Sequence, residues 1–170
     1  MAGQRKLGKR TDIRVQLLDS QATQLLWHGK INTTVERAKE VRKIAEKLIT
    51  LAVRTYDDTV EVTKEVEGKN GNKVAKKFVN DGAKKLAARR KMMSILDDIQ
   101  EEKGDKESKS DYVARTKDIN HPLIEKLFTE YGPKYRARAE ELGQGGGYTR
   151  IIKTGNRRGD DASLCILELV

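Results

Sequence analysis

A glycine-rich run near the end of the chain is the first stretch whose residue types could do chemistry. Gly143-Gln-Gly-Gly-Gly147 leads into Tyr148, Arg150 and Lys153. Glycine lets the backbone approach a ligand closely, so these amides and cations could together bind phosphate groups. No Lys-Ser or Lys-Thr pair follows, and the run precedes a predicted strand, which excludes a nucleotide-binding P-loop. We therefore expect contacts to a phosphate backbone.

Catalytic and metal-binding constellations are absent from the sequence pattern. His28 and His121 are the only histidines, both flank predicted helix ends, and Cys165 is the only cysteine. These three residues at unrelated positions do not match a zinc site. A single cysteine in an apolar strand also indicates a buried thiol and a reducing compartment. We expect no enzyme activity, no cofactor, no metal and no small-molecule substrate.

A second cationic feature is a predicted helix over residues 83–96. It carries Lys84, Lys85, Arg89, Arg90 and Lys91 without one acidic residue. Like charges this close repel each other unless an anion lies alongside them. The helix over residues 33–52 differs, because its cations are interleaved with glutamates that can form pairs along a solvated face. The acid-free helix is therefore the better candidate for a nucleic-acid contact.

The charge of the whole chain favours an anionic partner. The net charge is +9, charged residues make up 36% and aromatic residues only 5%. Nucleic acid is the first candidate partner. A membrane surface is disfavoured by the scarcity of aromatic residues, and no apolar run is long enough to span a membrane. Residues 1–11 are small and basic, which is typical of an arm that becomes ordered on phosphate.

The elements that position these residues follow from periodicity and from turn signals. We predict helices over residues 12–28, 33–52, 83–96, 120–131 and 135–142, a short strand at 30–33, and a final β-hairpin. Thr33 and Glu36 form a predicted capping box, Asn120 a predicted cap, and Gly132-Pro133 a predicted helix end. The apolar stripes include Ile13 in the first helix, and Leu86 and Met93 in the third.

Two segments interrupt this pattern. Residues 56–82 alternate in polarity around Asn70-Gly71 and predict an accessory hairpin. Residues 97–118 contain eight acids and five bases and predict a solvated segment that is part helix and part loop. Neither segment is basic overall, so we expect both to point away from the polyanion. We interpret residues 1–11 as an arm and residues 12–170 as a single domain with these two insertions.

The C-terminal motif also carries a family resemblance. Gly146-Gly-Tyr-Thr-Arg-Ile151, followed by Lys153, Gly155, Arg157 and Gly159-Asp160, resembles the signature of bacterial large ribosomal subunit protein seventeen. Further similar blocks are residues 5–51, 84–90 and 120–170, in the order of the family. The resemblance implies an α+β fold, in which helices pack on a small mixed sheet that the C-terminal hairpin completes. It also implies a non-enzymatic constituent of the large ribosomal subunit, in the cytoplasm, next to other large-subunit proteins.

The resemblance further implies binding to large-subunit ribosomal RNA near the outer opening of the peptide exit tunnel. The family's basic arm corresponds here to Arg5, Lys6, Lys9, Arg10 and Arg14. Together with the helices, loop and hairpin, the expected RNA-binding residues are Arg5, Lys6, Lys9, Arg10, Arg14, Arg37, Arg42, Lys84, Lys85, Arg89, Arg90, Arg136, Arg138, Gly146, Gly147, Tyr148, Arg150, Lys153, Arg157 and Arg158. From charge alone, a free-standing architectural or regulatory nucleic-acid-binding protein remains an alternative.

Overall fold

The computed structural model describes residues 5–67, 73–117 and 119–170 of the chain. Its elements in chain order are α1 (Thr11–His28), β1 (Lys30–Thr34), α2 (Val35–Thr55), β2 (Thr59–Glu67), β3 (Lys73–Asp81), α3 (Ala83–Met93), α4 (Lys109–Thr116), α5 (Pro122–Lys126), a π-helical turn (Leu127–Tyr131), α6 (Gly132–Leu142), β4 (Thr149–Asn156) and β5 (Ser163–Leu169).

The main sheet has three strands in the order β1-β5-β4. The C-terminal hairpin supplies two of them, and β1 pairs with the outer edge of β5 from Lys30 opposite Glu168 to Thr34 opposite Leu164. The α+β fold class completed by a C-terminal hairpin is thus confirmed. The expectation of a mixed sheet is wrong in one respect, because both strand pairs are antiparallel.

Helix α2 lies at the centre of the fold, because it packs against α1, α3, α6, the π-helical turn and the main sheet. Its apolar stripe, including Val41, Ala45, Leu48 and Ile49, is almost fully buried. Residues of this stripe recur every three or four positions, so they line one side of the helix. Leu167 of β5 brings the sheet into the same core.

Two of the predicted helix caps differ in the structure. Thr34 rather than Thr33 precedes α2, and it makes no side-chain cap hydrogen bond. Thr33 is paired with Cys165 in the sheet, and its hydroxyl donates to Gln21 Oε1 at 3.4 Å, so it cannot form the predicted capping box. His121, not Asn120, precedes α5, also without a side-chain cap. The predicted end of α1 is confirmed, since Gly29 is left-handed with φ 78°.

The predicted helix end at Gly132-Pro133 is wrong, because the helix continues through both residues. The amide of Gly132 donates to the Leu127 carbonyl five residues back, which makes the preceding turn π-helical. Proline has no amide hydrogen to donate, and a widened turn lets the helix pass such a residue. A Cβ on Gly132 would lie 2.9 Å from Tyr56 Cβ, so glycine also permits close packing against the end of α2.

Three residues of the predicted apolar stripes lie on the surface instead. Ile13 of α1 is exposed, and so are Leu86 and Met93 of α3. Helix α3 instead buries Ala88 and Met92. The five predicted apolar residues of the segment 123–131 are all buried: Leu123, Ile124, Leu127, Phe128 and Tyr131.

The two interrupting segments have the predicted character. Strands β2 and β3 form a separate antiparallel hairpin from Thr59 opposite Asp81 to Glu67 opposite Lys73. The Asn70-Gly71 turn predicted to join them lies outside the described residues. Residues 97–117 are mostly loop, with α4 capped by Ser108, whose hydroxyl accepts the Asp111 amide at 3.1 Å.

A candidate nucleic-acid interface

Helix α3, the best cationic candidate in the sequence, has two faces with different roles. Arg89 Nε and Nη2 donate to the Asp81 carboxylate at 2.5 and 3.2 Å, and Arg89 Nη1 pairs with Glu125. Lys85 Nζ lies 3.6 Å from the Asp81 carboxylate. Both cations also lie over the Phe128 ring, with Lys85 Nζ 5.3 Å and the Arg89 guanidinium carbon 5.2 Å from its centroid. These two side chains join α3 to β3, to α5 and to the π-helical turn.

The ion pairs of this face lower the pKa of one carboxyl group. The hydrogen bond from Arg89 holds the pKa of Asp81 below its ordinary value of 3.8. The Arg89 and Lys85 side chains are only 21% and 14% exposed, which leaves little of either charge for an external partner. The expectation that both bind RNA is therefore not supported by their geometry, and we assign them a structural role.

The opposite face of α3 keeps its charge available. Lys84, Arg90 and Lys91 are exposed. Within the described part of the chain, none of the three side chains contacts a carboxylate. The backbone amide of Lys84, by contrast, donates to Asp58 Oδ2 at 2.8 Å, and that of Lys85 to the same oxygen at 3.2 Å. Asp58 thus caps α3 from outside the helix and fixes the direction in which this cationic face points.

The N-terminal arm is divided in the same way. Arg5 pairs with Glu36 and Glu40 of α2, and Arg10 donates to Asp12 at 2.6 Å. Lys6 and Lys9 are exposed and have no acidic partner among the residues that the structure describes. Arg5 therefore anchors the arm to the fold, whereas the two lysines are free to contact an anion.

Four further predicted cations form exposed ion pairs with nearby acids. These pairs are Arg42–Glu46 at 3.0 Å, Arg136–Glu140 at 2.9 Å, Arg150–Glu168 at 2.5 Å and Arg157–Asp160 at 2.6 Å. The hydrogen bond from Arg157 lowers the pKa of Asp160 to about 2. Solvent screens exposed pairs and leaves them only weakly stabilising, so a phosphate can replace the acid at small cost.

Tyr148 is not available for stacking on a base. It is 5% exposed, and its ring centroid lies 4.8 Å from that of Tyr135 in the core. Its burial does not support the prediction that Tyr148 contacts RNA, because the ring packs against Tyr135 of α6, a helix that sequence spacing does not connect to it.

The glycine run has an open backbone next to this aromatic pair. Gly146 and Gly147 are exposed and have φ values of 101° and 62°. Arg138 Nη2 donates to the Gly147 carbonyl at 3.4 Å, which ties the loop to α6. Its other terminal nitrogen, Nη1, is buried and has no hydrogen-bond partner in the described structure. The loop thus combines two exposed glycines with a guanidinium that fastens the loop to α6.

A polar groove beside the main sheet brings two predicted cations together. It encloses about 440 Å³ and is lined by Arg37 and Arg157. Hydroxyl and amide side chains line it together with Leu164, Cys165 and Ile166 of β5, and its described lining contains no acidic residue. Phosphate oxygens accept hydrogen bonds from such groups. The groove is therefore suited to a phosphate of a nucleic-acid backbone.

Cations that the sequence analysis missed line a second groove between α1 and α2. Its cations are Arg14, Lys43, Lys47, Arg54 and Lys91, of which Arg14 was an expected RNA-binding residue and Lys91 belonged to the acid-free helix. The positions 43, 47 and 54 lie on one face of a helix, a spacing that would have revealed them. The remaining predicted cations of the C-terminal hairpin, Lys153 and Arg158, are exposed and contact no acidic residue within the described ranges.

The described residues contain no group of three His, Cys, Asp or Glu side chains placed to hold a metal ion. His121 instead lies 3.4 Å from Asp98. Burial raises the pKa of the Cys165 thiol, so it is less reactive than a free thiol. Among the helices that the structure describes, none has the length and apolar character needed to cross a membrane.

Comparison with known proteins identifies the family. Residues 17–170 match the family described as Ribosomal protein L17. The chain is 42% identical to large ribosomal subunit protein bL17 of Lachnospira eligens, 37% to that of Acetivibrio thermocellus and 38% to that of Clostridium tetani. Each alignment covers the whole of both chains. The chain therefore belongs to the Ribosomal protein L17 family and is a structural, non-catalytic protein of the large ribosomal subunit.

Proposed function

We propose that this protein binds large-subunit ribosomal RNA directly and holds it by its backbone. The proposal extends to a position near the outer opening of the peptide exit tunnel and to support of subunit assembly and translation in the cytoplasm. The family resemblance supports the position and the role in assembly. The distribution of unpaired cations supports the RNA contact.

The observation that carries the proposal is a set of predicted cations without carboxylate partners in the described structure. They lie on the arm, α1, α2, α3 and the C-terminal hairpin: Lys6, Lys9, Arg14, Arg37, Lys84, Arg90, Lys153 and Arg158. A folded protein that leaves so many charges unpaired, at a net charge of +9, is suited to a polyanion. Their spread over several elements favours a folded RNA that reaches around the protein.

The mode of binding follows from the same side chains. Lysine and arginine contacts to phosphate position a protein without reading base sequence. The open amides of Gly146 and Gly147 and the Arg37 groove add neutral donors for phosphate oxygens. With Tyr148 buried in the core, the glycine loop lacks the aromatic platform on which an unpaired base would stack. Recognition by RNA shape and backbone is the result.

The experiment is a salt titration of binding to large-subunit ribosomal RNA. Replacing Lys84, Arg90, Lys153 and Arg158 with Gln should flatten the dependence of log K on log salt. Each lost phosphate contact lowers that slope by roughly 0.7–0.9. A matched variant replaces Lys64, Lys77, Lys103 and Lys106 of the two interrupting segments, which changes the net charge equally.

The two variants separate local contacts from overall charge. We expect the slope of log K against log salt to fall clearly for the first variant and hardly at all for the second. Equal slopes for the wild type and the first variant would overturn it. Equal losses for both variants would show that net charge, rather than this set of cations, drives binding.

A further inference from the structure

The groove between α1 and α2 differs chemically from the candidate phosphate-binding sites described above. Its volume is about 890 Å³, and α3 and the residues after it close one end. Its floor is aliphatic, with three residues from α2, two from α1 and one from the segment after α3: Ile44, Leu48, Leu51, Val15, Leu18 and Ile95. The α2 residues at positions 44, 48 and 51 form a straight strip roughly 10 Å long.

Part of this floor is accessible, although Leu18 and Leu48 belong to the buried core. Val15 is 48% exposed, and Ile44, Leu51 and Ile95 are only partly buried. Apolar side chains exposed together along a groove mark a site for another molecule.

An aliphatic floor favours a protein over RNA as the occupant. Unpaired bases stack on aromatic rings or guanidinium planes and use the hydrogen-bonding edges of the base. The floor has no aromatic residue, and Thr50 and Ser94 are the uncharged polar residues of the described lining. A straight apolar strip between two helices instead matches the way in which amphipathic helices bind in grooves.

The rim defines the charge of that helix. Of its five cations, only Lys43 has an acidic partner in the described structure, Glu40 at 3.0 Å. Glu46, one of the two acids of the lining, already accepts from Arg42 at 3.0 Å and from Thr149 at 2.8 Å. Lys47, Arg54 and Lys91 therefore remain available to carboxylates of a protein partner, whereas Arg14 belongs to the set of cations assigned to RNA above.

We propose that the α1–α2 groove binds an acidic amphipathic helix of a neighbouring large-subunit protein. The apolar face of that helix would pack on Val15, Ile44 and Leu51, and its Asp and Glu residues would meet Lys47, Arg54 and Lys91 on the rim. The inference goes beyond RNA binding, because it assigns this surface to a protein. It does not depend on the RNA contacts proposed above.

The test is site-specific photo-crosslinking in assembled subunits. The full-length tagged protein, with benzoylphenylalanine at position 44 or 51, is expressed in a bacterium, and purified large subunits are irradiated. Crosslinked peptides are then identified by mass spectrometry. The expected product is one peptide of a neighbouring protein, crosslinked to both position 44 and position 51. That peptide should contain Asp or Glu within one helical turn of the crosslinked residue. Leu142, which is apolar and 60% exposed but outside the groove, is the control position.

Each other outcome overturns the inference. These outcomes are a product removed by ribonuclease, a peptide without acidic residues, the same peptide from position 142, or no crosslink at all. In the variant with Lys47→Glu and Arg54→Glu, the yield of the expected peptide should fall at least about fivefold, since two attractive rim contacts become repulsive. Because only assembled subunits are irradiated, a negative crosslinking result leaves the ribosomal assignment intact.

Discussion

Two adjacent arginines of α3 should respond to the same substitution in opposite ways. Arg89→Gln removes the partner of Asp81, whose side chain is 19% exposed, and also the pair with Glu125. Breaking a fully buried pair costs about 3–5 kcal/mol, and an exposed pair about 0.2–1 kcal/mol. These partly exposed pairs lie between the two limits, so we expect a loss of about 1–2 kcal/mol. For a chain of 170 residues this lowers Tm by roughly 2–8 °C.

Arg90→Gln is the matched control, since its guanidinium is exposed and has no described acidic partner. Its Tm should stay within about 1–2 °C of the wild type, because surface substitutions change stability by about 0.5 kcal/mol or less. Its salt slope for RNA binding should fall by roughly 0.7–0.9. Thermal unfolding followed by circular dichroism and a salt titration measure both quantities for both variants. The reasoning is refuted if Arg89→Gln lowers the salt slope of RNA binding and leaves Tm unchanged.

The Arg89 effect should also depend on pH in a defined direction. The pKa of Asp81 is lowered in the folded protein, mainly by the Arg89 hydrogen bond, from an ordinary value of 3.8. The carboxylate therefore stabilises the fold above pH 3.8, and this contribution is lost as the pH falls through the folded pKa. The difference in Tm between the wild type and Arg89→Gln should be full at neutral pH and narrow below about pH 4. A difference that grows on acidification would contradict the ion pair.

Three other changes test how the fold positions the interface. Asp58→Ala should lower stability by about 1–2 kcal/mol in chemical denaturation, because two α3 amides lose their acceptor; an unchanged midpoint would refute the cap. Gly132→Ala should cost about 1–3 kcal/mol, since its Cβ would lie 2.9 Å from Tyr56 Cβ, and Tyr56→Ala should relieve much of that cost. Replacing residues 60–80 with a two-residue turn, which keeps Asp58 and Asp81, should leave the RNA salt slope unchanged; a lower slope would make the hairpin a contact element.

The sequence predicted the elements whose apolar residues repeat with a clear period. Helix α2, the buried stripe of residues 123–131 and the C-terminal hairpin are local patterns, and each is confirmed in its main features. The run from Gly146 to Ile151 also identified the family, because an unusual glycine and β-branched sequence is specific in a way that a helical stripe is not.

Local sequence patterns were insufficient where a distant residue decides the role of a local one. Arg89 was predicted to contact RNA because α3 itself contains no acid, but its partners are on β3 and α5. Tyr148 was assigned to the interface by its position beside the glycine run, although its ring packs at a tilt against that of Tyr135 on α6. Thr33 was predicted to cap α2, whereas its pairing with Cys165 places it in the sheet. In each case tertiary contacts override a correct local pattern.

Sedimentation of the tagged protein from a bacterial lysate through a sucrose gradient tests the central claim most directly. The gradient is run at moderate and then at high salt. We predict that the protein migrates with the large subunit and stays there in high salt, because cations on several elements contact the folded RNA at once and must all release together before the protein dissociates. Protein at the top of the gradient, or release from the subunit by a modest increase in salt, would contradict it.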